Sequence, residues 1–180
     1  MSDVAITMWS RVRGAGLFLW IVACDLITKG TARLGGCPDE PVVNAAFFKE
    51  MLTPPQGCTG TELAGPELQL VPGLHDGALF GLGAGQFGGF AGQVYALSLL
   101  FFAVAITIVI RRWKHQTGAD SRLLALIWAG ALMSAFPRLM GTGLGWYEIS
   151  AFGLLTSIGE LSLVLGVLWA LWRFLAELVG

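Results

Sequence analysis

The chain has 180 residues, 55% of them hydrophobic and only 13% charged, and its formal net charge is −1. A water-soluble domain of this length could not cover so much apolar surface, so the expected class is an integral membrane protein. The near-neutral charge provides no electrostatic footprint for nucleic acid, and none is expected as a partner.

Four apolar runs follow in chain order, each near the ~20 residues that a bilayer core requires. The first covers about 14–32 and is preceded by Arg11 and Arg13. The sequence LGGC at 34–37 looks like a lipoprotein cleavage motif, but Asp25, Lys29 and Arg33 interrupt the apolar run before it. A signal peptide stays neutral there, so the run is read as a membrane span.

Residues 33–90 form a long polar segment rich in Gly, Pro and Thr, with one short β element expected in ELQLVP at 67–72. Cys37 and Cys58 both lie in it. An oxidising compartment would allow them to form a bridge worth roughly 3 kcal/mol through loop closure. Two free thiols are the alternative. Cys24, inside the first span, reads as a small packing residue. The run GLGAGQFGGFAG contains Gly83, Gly85 and Gly88 in a G-x-G-x-x-G pattern. No clear strand precedes it and no acidic residue follows at the spacing of a nucleotide fold, so it reads as a pliable loop, with a substrate gate as the alternative.

The second span covers about 91–110. Arg111, Arg112, Lys114 and Arg122 separate it from the third, at about 123–140. Pro137 removes a backbone N–H and clashes one turn back, so the third helix should kink or end there. The fourth span covers about 155–172 and is followed by Arg173. With four spans all the basic clusters fall on one side, which the positive-inside rule assigns to the cytoplasm, together with both termini. The expected architecture is all-α: one membrane domain, 1–180, of four transmembrane helices with a small extracytoplasmic segment between the first two.

Charges inside spans are expensive and mark function by default. Asp25 and Lys29 sit four residues apart, on one helix face, and can pair. Arg138 lies in the outer half of the third span, and Glu160 lies near the outer part of the fourth. The four can form one polar layer just below the outer surface. Such a layer is either functional or a self-neutralising network that fixes helix packing. A metal site is not expected: the other histidine, His115, falls on the opposite side from His75, and the cysteines lack ligand spacing.

Together, these residues resemble the lipoprotein signal peptidases (signal peptidase II), integral-membrane aspartic peptidases that remove the signal peptide of prolipoproteins. The resemblance rests on Asp25, Thr28 and Lys29 in D-x-x-T-K, on Gly77, Ala78 and Phe80 in HDGALFG, and on Gly130, Ala131, Arg138 and Leu139 in GALMSAFPRL. It implies a multi-pass protein of the bacterial inner membrane that contacts the lipid bilayer and a prolipoprotein signal peptide and needs no cofactor. It further implies a substrate-binding set of His75, Gly77, Ala78, Phe80, Ser134 and Ser157, with Asp25, Lys29 and Arg138 in support.

Several positions depart from the family pattern. His75 stands where Asn is usual, Ser134 and Pro137 replace the Asn and Asp of the third-span motif, and Ser157 replaces an Asn. The two catalytic Asp positions correspond to Glu148 and Glu160, the former after a small insertion. An aspartic peptidase needs two carboxyl groups close enough to share a proton, one ionised and one protonated. On one continuous helix Glu148 and Glu160 would be about 18 Å apart along the axis. The pair therefore requires the chain to fold back between them, and Gly153 permits that break. Three readings follow. One is a peptidase with a Glu148/Glu160 dyad. The second is a non-catalytic relative that binds lipoproteins or other membrane proteins. The third is a small transporter or proton relay using the same buried charges.

Overall fold

The computed structural model describes residues 3–36, 61–63, 67–75, 77–82, 85–86, 88–112, 118–140, 145–152 and 154–179. It has four long helices: α1 (Asp3–Gly36), α2 (Gly89–Arg112), α3 (Gly118–Met140) and α4 (Ile158–Val179). Each contains a stretch long and apolar enough to cross a bilayer, the first being Val12–Ala32. Large apolar side chains such as Leu19, Trp20, Phe101, Val109, Leu168 and Trp172 face outward. On a membrane-spanning bundle that is the lipid-facing surface, because hydrocarbon exerts no hydrophobic penalty on them.

Helix α3 is the central helix and contacts each of the others. Half of its apolar span is buried, against 22%, 22% and 17% for α1, α2 and α4. Its Leu123, Ile127 and Ala131 recur every four residues and meet Leu99, Ala103 and Ile110 of α2 and Leu163 of α4. Close backbone approach depends on glycine. A Cβ on Gly130 would lie 2.5 Å from the Leu163 nitrogen, and one on Gly166 would lie 2.7 Å from Ile127. Small residues let α3 and α4 approach until backbone meets backbone, and this sets where the first turn of α4 sits.

One end of the bundle carries an antiparallel sheet of order β1-β2-β3-β4: β1 (Thr61–Glu62), β2 (Leu68–His75), β3 (Gly145–Ala151) and β4 (Leu154–Thr156). The strand expected from ELQLVP is the core of β2. Its register with β3 shifts between Leu70 and Gly73, where Pro72 has no N–H to give the ladder. Strands β3 and β4, which the sequence reading did not anticipate, come from the segment between α3 and α4. Between them Phe152 stands at φ 51°.

One boundary expectation changes, and one is met in spite of a proline. The fourth helix begins at Ile158, not near 155, because 154–156 pair with β3 and Ser157 caps the helix. The third helix passes through Pro137 and ends at Met140. Proline there frees one acceptor, the Met133 carbonyl. The next carbonyl, of Ser134, accepts from Arg138 Nη1 at 2.8 Å, a cationic side chain bonded within the last turn.

Candidate functional site at the first turn of the fourth helix

The first turn of a helix exposes N–H groups that have no intrahelical partner. In α4 these groups gather the polar residues of the bundle. Ser157 is the N-cap: its Oγ accepts from the Glu160 N–H at 3.1 Å, and its carbonyl accepts the first helical bond, from Leu161, at 3.0 Å. The Gly159 N–H donates instead to Asp25 Oδ1 of α1, at 2.6 Å. A Cβ on Gly159 would come within 2.7 Å of Met133 Cβ and 3.2 Å of that carboxylate oxygen, so glycine is what lets α1 and α3 converge here.

Asp25 Oδ2 pairs with Lys29 Nζ one turn along α1, and both residues are buried. The spacing of four places both groups on one face, and the α4 N-terminus presents its free N–H and partial positive charge to Asp25 Oδ1. Thr28 donates to the carbonyls of Cys24 and Asp25 within its own helix, at 2.8 and 3.0 Å. Cys24 is a half-buried free thiol.

Arg138 is 1% exposed, and its guanidinium joins several elements. Nη2 donates to the Gly77 carbonyl at 2.9 Å and lies 3.9 Å from Glu160 Oε1. The second distance is an ion pair and not a hydrogen bond. The cation also stands 5.2 Å from the centre of the Tyr95 ring, within cation–π range. Arg138 Nε and Ser134 Oγ are buried and have no hydrogen-bond partner among the described residues.

The GALFG stretch is a single 3-10 turn, Leu79–Gly81, held by this layer through its backbone. The Phe80 N–H donates to Glu160 Oε2 at 3.1 Å, and the Leu79 N–H donates to the Tyr95 hydroxyl at 3.1 Å. Phe80 has φ 60°, a left-handed conformation rare for an aromatic residue, and it persists because these contacts over-determine it. A Cβ on Gly77 would fall 2.4 Å from the Gly81 carbonyl carbon, so the tight turn demands glycine there. Ala78 closes it: its N–H donates to the Leu82 carbonyl at 2.6 Å, and its carbonyl accepts from the Gly81 N–H at 3.1 Å.

The structure therefore brings Asp25, Lys29, Gly77, Ala78, Phe80, Ser134, Arg138, Ser157 and Glu160 into one layer. The layer divides into two ion pairs, Asp25–Lys29 and Arg138–Glu160, joined through the adjacent residues Gly159 and Glu160. The expected fold-back between Glu148 and Glu160 is present: Ile149 pairs with Thr156 across the β3–β4 ladder, so the Glu148 backbone lies on the strand beside the α4 cap. His75 ends β2, opposite Gly145. The side chains of His75 and Glu148, and the whole of Cys37 and Cys58 with their expected bridge, lie outside the described residues. Tyr95 and Gly159 were not anticipated. A lone tyrosine in an otherwise apolar span was the available signal for the first, since a buried phenol finds a partner.

No protein-family model and no curated protein matches the chain. Solved structures do match in fold, two of them over nearly the whole chain. Both are described as a bacterial membrane enzyme determined by the in meso method, one at 2.3 Å and the other at 1.9 Å resolution. The first has a TM-score of 0.63 at 16% identity, over 92% of this chain and 88% of that one. The second has a TM-score of 0.60 at 16% identity, over 91% and 93%. At this identity the likeness is one of fold, and it runs nearly the full length of both partners: the chain has the fold of these bacterial membrane enzymes.

Proposed function

We propose that this protein is a signal peptidase II-like protein of the bacterial inner membrane, with both termini cytoplasmic, that binds the lipidated signal-peptide region of a prolipoprotein without cleaving it. The Arg138–Glu160 pair carries this reading. A proton-sharing dyad needs one carboxyl group free to take up and release a proton. In Glu160 one oxygen lies 3.9 Å from the Arg138 guanidinium, and the other accepts the Phe80 N–H. Both oxygens are thus engaged in holding Arg138 and the GALFG turn. Ser134 Oγ and Arg138 Nε, buried polar groups with no protein partner among the described residues, are suited to the backbone of an extended peptide.

A second reading, a peptidase with a Glu148/Glu160 dyad, is favoured by one observation: the chain reverses between the two residues and places both at the same end of the bundle. One assay separates the two. Purified protein in proteoliposomes is incubated with a diacylglyceryl prolipoprotein peptide, and binding and cleavage are both followed. Saturable binding without product is the expected outcome. Cleavage by the wild type that disappears in Glu160→Gln establishes the peptidase. Ion flux across the liposomes with no peptide binding refutes both readings and supports the transporter.

A further inference from the structure

At the end of the bundle opposite the sheet, an open groove of about 390 Å³ runs between α1 and α2 over the face of α3. Its walls are mainly apolar, with Phe18, Leu124 and Trp128 among them. Its inward polar groups are satisfied locally: the Thr107 hydroxyl accepts from Trp128 Nε1 at 2.8 Å and donates to the Ala103 carbonyl at 2.7 Å. The groove presents hydrocarbon along its length and charge at its mouth, where Arg111 forms part of the lining. Arg13 precedes the lining residue Gly14, Asp120 and Arg122 flank Ser121, and Arg112 follows Arg111, so cations outnumber the one carboxylate in the sequence at the rim. All four arginines are exposed.

Two features identify the occupant. The lining runs along α3 from Ser121 to Leu132, about 16 Å at the helical rise. That is roughly half of a ~30 Å hydrocarbon core, which is the depth of one leaflet. The rim is cationic, on the side that the positive-inside rule assigns to the cytoplasm, whose leaflet carries anionic lipid. We infer that the groove holds one anionic phospholipid of the cytoplasmic leaflet, its acyl chain against Phe18, Leu124 and Trp128 and its phosphate at Arg111. The same charge disfavours the basic start of a signal peptide, which would meet four arginines. This inference is independent of what the polar layer at the other end binds.

Native mass spectrometry of the full chain, released from micelles containing equal phosphatidylglycerol and phosphatidylethanolamine, tests it. The wild type is expected to retain one phosphatidylglycerol in preference to phosphatidylethanolamine. Arg111→Gln should lower that preference about fivefold, the worth of one arginine toward an anionic surface. Ala15→Phe, at an exposed lining position, should fill the groove and abolish retention of either lipid. Arg112→Gln, outside the lining, should lower the preference less than Arg111→Gln. Equal retention of the two lipids by the wild type overturns the proposal. So does a preference that Arg111→Gln and Arg112→Gln reduce equally, which would mean a diffuse surface charge. A lipid-free dimer that Ala15→Phe disrupts overturns it in favour of a second copy of the chain.

Discussion

The two buried ion pairs lie in one layer and are built in opposite ways. Asp25 and Lys29 stand one turn apart on a single helix, and the pair forms wherever that helix forms. Arg138 and Glu160 come from different helices, and their contact also fastens the Gly77–Gly81 turn. The first pair is local, two side chains on one helix. The second is a tertiary junction whose planar guanidinium bonds the Ser134 and Gly77 carbonyls as well. Local and tertiary charge pairs of similar burial should therefore respond differently to losing one partner.

Removing Glu160 tests this most severely. Glu160→Leu leaves a buried guanidinium without a carboxylate and releases the Phe80 N–H, for a loss of about 3–5 kcal/mol. Unfolding followed in micelles measures it. Adding Arg138→Met to the same chain should recover most of the loss, because replacing both charges of a buried pair by apolar groups is often neutral. A double variant as unstable as the single one would mean that Arg138 acts through Gly77 and Ser134 more than through Glu160.

Asp25→Leu should cost less, about 2 kcal/mol, since Lys29 stands on the same helix and the main tertiary loss is an acceptor for the Gly159 N–H. A loss equal to that of Glu160→Leu, in the same measurement, would erase the distinction between the pairs. Ser157→Ala should cost least, about 1 kcal/mol, the usual worth of an N-cap. It acts on the helix turn that both pairs share. Amide exchange of α4 should rise at its first turn and leave the Asp25–Lys29 segment of α1 unchanged.

How far the site was legible follows the same division. Asp25 and Lys29 could be paired from their spacing because a helix repeats every 3.6 residues and needs no other element. For Arg138, spacing along the chain does not choose among the carboxylates of Asp25, Glu148 and Glu160. The choice of Glu160 required knowing that Gly130, Gly159 and Gly166 draw α4 against α3. The start of α4 was misplaced because LLT is as apolar as the helix after it. Only pairing with β3 makes it strand, and S-x-x-E at 157–160 was the capping signal that marked the boundary. Tyr95 was overlooked because its partner, a backbone N–H sixteen residues away, belongs to a turn with no periodic signature.

By itself the sequence determined the properties that arise from short repeats and composition. These are the four apolar spans, the strand around Leu68–Leu70, the arginine clusters around 11–13 and 111–122 and the i, i+4 pair in α1. Each depends on neighbours along the chain, and a bilayer rewards apolar length whatever lies beside it. Tertiary structure alone decided which carboxylate meets Arg138, which strands join β2, and why Phe80 holds a left-handed backbone. Those outcomes depend on groups far apart in the chain, as Phe80 and Glu160 are, 80 residues from each other. They meet because glycines let helices touch and because buried polar groups must find partners wherever the fold places them.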